Sequence, residues 1–120
     1  MDPRYKRETF ERGIACFNRG QFFECHELLE EIWLAEAPGE KPFYQGLIQV
    51  AAGFHHYQRG NLDGAHSLIR QGAEKLVAYP ATHQGIDLAG LRAALLPWLN
   101  SLGRGEEPKE LALPRIHLAP

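Results

Sequence analysis

The feature that most constrains this chain is a self-similarity at an offset of 40 residues. Residues 19–29 read Arg-Gly-Gln-Phe-Phe-Glu-Cys-His-Glu-Leu-Leu, and residues 59–69 read Arg-Gly-Asn-Leu-Asp-Gly-Ala-His-Ser-Leu-Ile. Arg, Gly, His and Leu are identical at four of the eleven positions. Gln/Asn, Phe/Leu, Cys/Ala and Leu/Ile match in kind at four more. The same offset aligns Gly13 with Gly53, Phe17 with Tyr57 and Asn18 with Gln58. Self-similarity at such a period marks a repeated supersecondary unit. Each copy reads as a helix, an Arg-Gly turn, an amide residue and a second helix. Gly20 and Gly60 can take the left-handed conformation that closes the first helix of each pair.

Hydrophobic periodicity fills in the elements. Asp2-Pro3 is a helix start, and Phe10, Ile14 and Phe17 carry the first helix to Gly20. The second helix spans about Phe22 to Ala35, with Ala37-Pro38-Gly39 breaking it. Pro42 opens a third that stops at Gly60, and a fourth covers about Leu62–Val77. Tyr79–Gly85 reads as a loop, and the strand signal is negligible. A fifth helix, about Asp87–Leu102, is expected to kink or restart at Pro97. The hairpin resembles the tetratricopeptide unit, with a longer period because of the Ala37–Lys41 connection. The expected fold is therefore all-α: about five helices in a compact bundle, two pseudo-repeated hairpins plus a capping helix and an extended C-terminal tail. Residues 1–103 are expected to form the bundle. Residues 104–120, with Leu111, Leu113, Ile116 and Leu118, are expected to lie on the same domain as a strap.

Composition narrows the function classes. The 120 residues fit one domain. A hydrophobic content of 44% with 23% charged residues is that of a globular protein. A formal net charge of −2 gives no field that would draw the chain to nucleic acid or an anionic membrane. Arg4, Lys6, Arg7 and Arg12 are diluted by Glu8 and Glu11. The charged segment Met1–Arg12 does not read as a secretory leader. The longest uncharged stretch, Phe43–Gln58, is too short and too polar to span a membrane. Cys16 and Cys25 sit among apolar neighbours, like small core residues rather than a disulfide pair. A soluble, cytoplasmic protein is expected.

The segment Phe22–Trp33 holds the candidate chemistry. His26-Glu27-x-x-Glu30 is close to the zinc-hydrolase signature but has Glu where the second His belongs. His26 and Glu30 are one turn apart, a workable spacing for metal ligation or acid–base work. His26 has a counterpart in His66, so hairpin architecture can account for it, for example through a ring bonded to a backbone carbonyl. Glu24, Glu27 and Glu30 match Gly64, Ser67 and Arg70, so the repeat does not require them. At 100° per residue, Glu30 falls beside His26 at the edge of the apolar arc, while Glu24, Glu27 and Glu31 fall on the solvated side. An ion pair between Glu30 and Arg70 is the structural alternative.

On the third helix, Gln45, Gln49, Ala52 and His56 share one stripe, with no charge over 43–58. Buried amides need partners, and His26, Glu30 and Trp33 on the preceding helix are natural ones. The stripe is either a satisfied polar network that sets helix register or the lining of a pocket for a small polar ligand or metal.

These residues resemble a family called domain of unknown function 309. The blocks that carry the resemblance are Phe17-Asn18-x-Gly20-x-Phe22-Phe23-Glu24-x-His26-Glu27-x-x-Glu30-x-x-Trp33, then Gln45-Gly46-Leu47-Ile48-Gln49-x-Ala51-Ala52, then Gly60-Asn61-x-x-Gly64-Ala65. The resemblance implies a compact helical bundle and no activity. It implies Glu24, His26, Glu27, Glu30, Trp33, Gln45, Gln49 and Asn61 as characteristic positions, which differs from the helical-wheel ranking in including Glu24 and Glu27. Two functions are open on sequence grounds. One is a binding or scaffolding module for a protein, a small polar ligand or a second copy of itself. The other is a small hydrolase-like enzyme using His26 with Glu30, Glu27 or Glu24 as general acid/base or divalent-metal ligands. No cofactor is implied, and neither nucleic acid nor membrane is expected as a partner.

Overall fold

The computed structural model describes residues 1–120, and five helices dominate it: α1 Pro3–Asn18, α2 Phe22–Ala35, α3 Lys41–Gln58, α4 Leu62–Leu76 and α5 Leu88–Gly103. The mostly all-α bundle expected from the sequence is the observed architecture. α1 starts where Asp2 Oδ1 accepts from the amides of Arg4 (2.7 Å) and Tyr5 (3.3 Å), with Pro3 inside the first turn. These bonds satisfy helix amides that have no intrahelical acceptor.

The two Arg-Gly turns close their helices identically. Gly20 (φ +75°) and Gly60 (φ +81°) are left-handed. The following amides, Gln21 and Asn61, each reach five residues back to the carbonyls of Cys16 and His56 at 2.9 Å. This is the Schellman closure, which a residue with a Cβ enters only under strain. α5 ends the same way at Arg104-Gly105, where the Glu106 amide meets the Ser101 carbonyl at 3.0 Å.

Consecutive helices pack against one another in chain order, α1 on α2, α2 on α3, α3 on α4 and α4 on α5. The hairpins share one core. The rings of Phe17, Phe22 and Phe54 meet with centroids 5.1–6.4 Å apart, and Trp98 of α5 joins Phe54 at 5.0 Å. α3 and α4 approach most closely where Gly46 faces Gly72: a Cβ on Gly72 would stand 2.5 Å from the Gly46 carbonyl oxygen. No helix is long and apolar enough to cross a membrane.

Three local expectations differ from what is observed. A two-stranded antiparallel ribbon, β1 Thr82–His83 and β2 Ile86–Asp87, begins inside the stretch read as a loop and runs to the expected start of the fifth helix. Its tip is Gln84-Gly85, both at positive φ (+49° and +77°), which is what a tight two-residue hairpin needs. Second, α5 runs unbroken through Pro97, without a restart. Pro97 is exposed, so water can reach the carbonyl its missing N–H would have served. Third, the tail buries fewer apolar side chains than its sequence suggests. Ile116 is buried and Leu111 half-buried, but Leu113 and Leu118 are exposed. Hydrogen bonds add to this partial apolar anchoring. The Asn18 amide group donates to the Ile116 carbonyl (2.9 Å) and accepts from the Ile116 amide (2.7 Å), and Trp98 Nε1 donates to the Ala112 carbonyl at 3.2 Å. Backbone bonds from Asp87 to His117 and from Ala119 to Gly85 tie the tail to the ribbon.

Candidate functional site

The N-terminal turns of α2 lie beside the C-terminal turns of α3, where they enclose a cavity of about 180 Å³ lined by Phe23, His26, Ala52, His55 and His56. His26 Nε2 stands 3.3 Å from Glu30 Oε2, an i,i+4 contact between side chains 30% and 47% exposed. At that exposure solvent screens the pair, and its contribution to stability is a few tenths of a kcal/mol. Glu30 does not pair with Arg70, which bonds Glu74 at 3.0 Å instead, because Glu74 is one turn away on the same helix. The other ring nitrogen of His26, Nδ1, is buried and has no hydrogen-bond partner. The carbonyl contact suggested by the His26/His66 repeat is therefore absent from His26; His66 rests against the end of α5 near Gly103.

His56 is held more firmly. Asn61 caps α4, its Oδ1 accepting from the Gly64 amide at 2.9 Å. That bond orients the side chain so that Nδ2 faces His56 Nδ1 at 3.1 Å. An NH₂ group only donates, so His56 Nδ1 is the acceptor and the neutral ring carries its proton on Nε2. Phe23 completes the wall: its ring is 48% exposed and lies 5.9 Å from His26 and 5.5 Å from His55.

Phe23 and His55 were not among the sequence candidates. A signal for Phe23 existed, since at 100° per residue it falls roughly 60° from His26 on the side of Glu30. His55 adjoins His56, and only the packing of α2 on α3 places it against Phe23.

The remaining candidates lie elsewhere. Gln49 turns away from α2: its Oε1 accepts from Lys75 Nζ at 2.9 Å and its Nε2 donates to Gln71 Oε1 at 3.4 Å, both on α4. Gln71 in turn donates to Ser67 Oγ at 3.0 Å, closing a side-chain network between α3 and α4. Gln45 is half-buried on the same helix. Trp33 packs against the core at the far end of α2, with Lys41 Nζ 4.5 Å from its ring centroid. Glu24 and Glu27 are exposed and form no ion pair within 4 Å. The structure thus brings together His26, Glu30, His56 and Asn61, and separates them from Gln45, Gln49, Trp33, Glu24 and Glu27. No group of three or more His, Cys, Asp or Glu side chains converges as metal ligands anywhere in the chain, so His26 and Glu30 stand as a pair without a third donor. The cavity can receive a small group on an aromatic wall and offer it imidazole donors and acceptors.

Comparison with known proteins bears out the resemblance read from the sequence. Residues 10–68, about half of the chain, match the family model described as a domain of unknown function (DUF309). An uncharacterized protein of Aquifex aeolicus (strain VF5) is 32% identical over 103 residues, covering 85% of this chain and 31% of that protein. The uncharacterized protein YpuF of Bacillus subtilis (strain 168) is 37% identical over 71 residues, covering 58% of this chain and 39% of that protein. The matched stretch is thus well under half the length of each of these relatives.

Proposed function

With residues 10–68 placed in the DUF309 family, we propose that this chain is a binding module that takes one side chain of a partner protein into the imidazole-lined cavity between α2 and α3. The observation that carries the reading is Phe23, a large apolar ring left half exposed between two imidazoles at the mouth of a cavity about the size of one side chain. An exposed aromatic body beside unsatisfied polar atoms suits recognition of a group with both an apolar face and a hydrogen-bonding edge. The Nε2–H of His56 is the polar group available for it, while the unpartnered Nδ1 of His26 lies buried behind the cavity wall. Residues 1–103 act here as the bundle that presents the cavity, with residues 104–120 as a strap of the same domain. The buried Ile116 and its two bonds to Asn18 support that division. A cytoplasmic setting is in keeping with two unpaired cysteines.

Affinity capture with immobilised wild type and a Phe23→Ala/His56→Ala variant tests the reading, with light scattering recording the oligomeric state of each. A protein retained by the wild type and lost by the folded variant is the expected result. Equal retention by both, or retention by neither, overturns it.

A further inference from the structure

A second cavity, of about 240 Å³, opens at the other end of α3 between the first turns of α1, Tyr44 and the tip of the ribbon. Tyr44 and His56 are twelve residues apart on α3, or roughly 18 Å along its axis, so the two cavities are separate. The lining is Pro3, Lys6, Arg7, Phe10, Tyr44 and Gln84. Its two charged groups are both cations, and Phe10 with Pro3 supplies an apolar wall.

Tyr44 is the informative residue. Its side chain is only 1% exposed, and its ring is fixed edge-on against Phe10 (5.8 Å) and Phe43 (5.0 Å). The hydroxyl makes no hydrogen bond to the protein, although burial and then the carboxylates of Glu36 and Glu40 push its pKa up and keep it protonated. The oxygen itself keeps some accessible surface at the cavity, so its O–H is free to donate to a ligand there. Lys6 lies beside it, its Nζ 5.6 Å from the Tyr44 ring centroid and in contact with Glu36. Arg7 is well exposed and only loosely paired with Glu11 at 3.8 Å, so its guanidinium is free to turn inward. Gln84 is set at the mouth by its turn, and its Nε2 donates to Glu40 at 3.3 Å.

We propose that this cavity binds a small organic monoanion, a carboxylate carried on a flat apolar body. The carboxylate accepts from the Tyr44 hydroxyl and from Arg7 and Lys6, while the body lies against Phe10. The guanidinium presents a planar fork that matches a carboxylate, and an apolar wall with a few donors is the usual make-up of a small-molecule site. A single charge suits the site, because Lys6 already contacts Glu36 and Arg7 is the one loosely paired cation in the lining.

Benzoate, benzyl alcohol and inorganic phosphate are the probes, titrated into the full chain and followed by amide chemical shifts. Benzoate is expected to produce saturable shifts around Lys6, Tyr44 and Gln84, and to bind roughly tenfold or more tightly than either of the others. Tyr44→Phe, which removes an oxygen bonded to nothing in the protein, and Arg7→Gln are each expected to weaken benzoate roughly tenfold while leaving the spectrum of the free protein folded. The proposal is overturned by non-saturating or scattered shifts, by phosphate or benzyl alcohol binding as well as benzoate, or by unchanged affinity in the two variants. Loss of binding at the imidazole cavity leaves these outcomes untouched, since the two sites share no residue.

Discussion

Gly53 lies so close to Ile69 that a Cβ on the glycine would stand 2.6 Å from Cγ1 and 3.0 Å from the Ile69 backbone nitrogen. Their counterparts 40 residues earlier, Gly13 and Leu29, make the same inter-helix contact more loosely, at 3.3 Å to the flexible Cδ2. The repeat is thus present in the packing as well as in the letters, and its two copies differ in tightness. Gly53→Ala is expected to lower stability by about 2–3 kcal/mol, because backbone must move. Gly13→Ala is expected to be neutral or to stabilise by up to ~1 kcal/mol, because Leu29 can shift and helix propensity improves. Urea unfolding of the two variants measures the contrast, and equal losses would refute it.

Asn61 serves α4 and His56 together. Asn61→Ala is expected to cost about 1 kcal/mol as a lost cap. It also removes the donor that keeps the His56 proton on Nε2, so ring ¹⁵N shifts are expected to change from one dominant tautomer to a mixture. An unaltered tautomer ratio would contradict the assigned arrangement.

Asn18 and Gln58 are equivalent in the repeat but hold different things. Asn18 exchanges two hydrogen bonds with Ile116, whereas Gln58 Nε2 donates to the Gly20 carbonyl at 2.9 Å. Asn18→Ala is expected to cost roughly 1–3 kcal/mol and to release the tail, because it leaves a buried amide unsatisfied. The exposed Gln58 contact is expected to matter less. Hydrogen exchange at the Ile116 amide is the direct reading; unchanged protection in Asn18→Ala would sink the idea.

Burial pushes the Cys25 thiol up to about 12 from its ordinary value, and Tyr44 is also raised above its usual range. Both groups are neutral in the folded chain at pH values where the unfolded chain has begun to ionise. Their contribution to stability is therefore complete below pH 9 and is lost progressively as the pH climbs toward 12. The melting temperature is expected to fall steeply in that window. Cys25→Ala, which copies the matching Ala65, removes one ionising group and should flatten the accompanying fall in unfolding free energy by about 1.4 kcal/mol per pH unit. A slope identical to wild type would be the contrary result. Native Cys25 should also resist thiol reagents at neutral pH.

The helices were legible because what makes them is local. Apolar spacing, the Asp2-Pro3 start and the Arg-Gly closures act within a few residues, so their positions in the chain suffice. The His26–Glu30 contact was legible for the same reason, being one turn of a single helix. The ribbon was overlooked because two residues on each side of Gln84-Gly85 carry almost no periodic signal, although that dipeptide between Thr82-His83 and Ile86-Asp87 was a usable cue.

What depended on the tertiary structure is which faces meet. Gln49 and His56 share a stripe of α3, yet Gln49 bonds across to α4 while His56 faces the cavity beside α2. That split follows from the rotation of α3 between its two neighbours, which the Gly46–Gly72 and Gly53–Ile69 approaches lock in place. The spacing of residues along one helix specifies a direction around its axis. The neighbour found in that direction is decided by close packing between helices, and so the 40-residue repeat announced two hairpins without announcing the two cavities they leave.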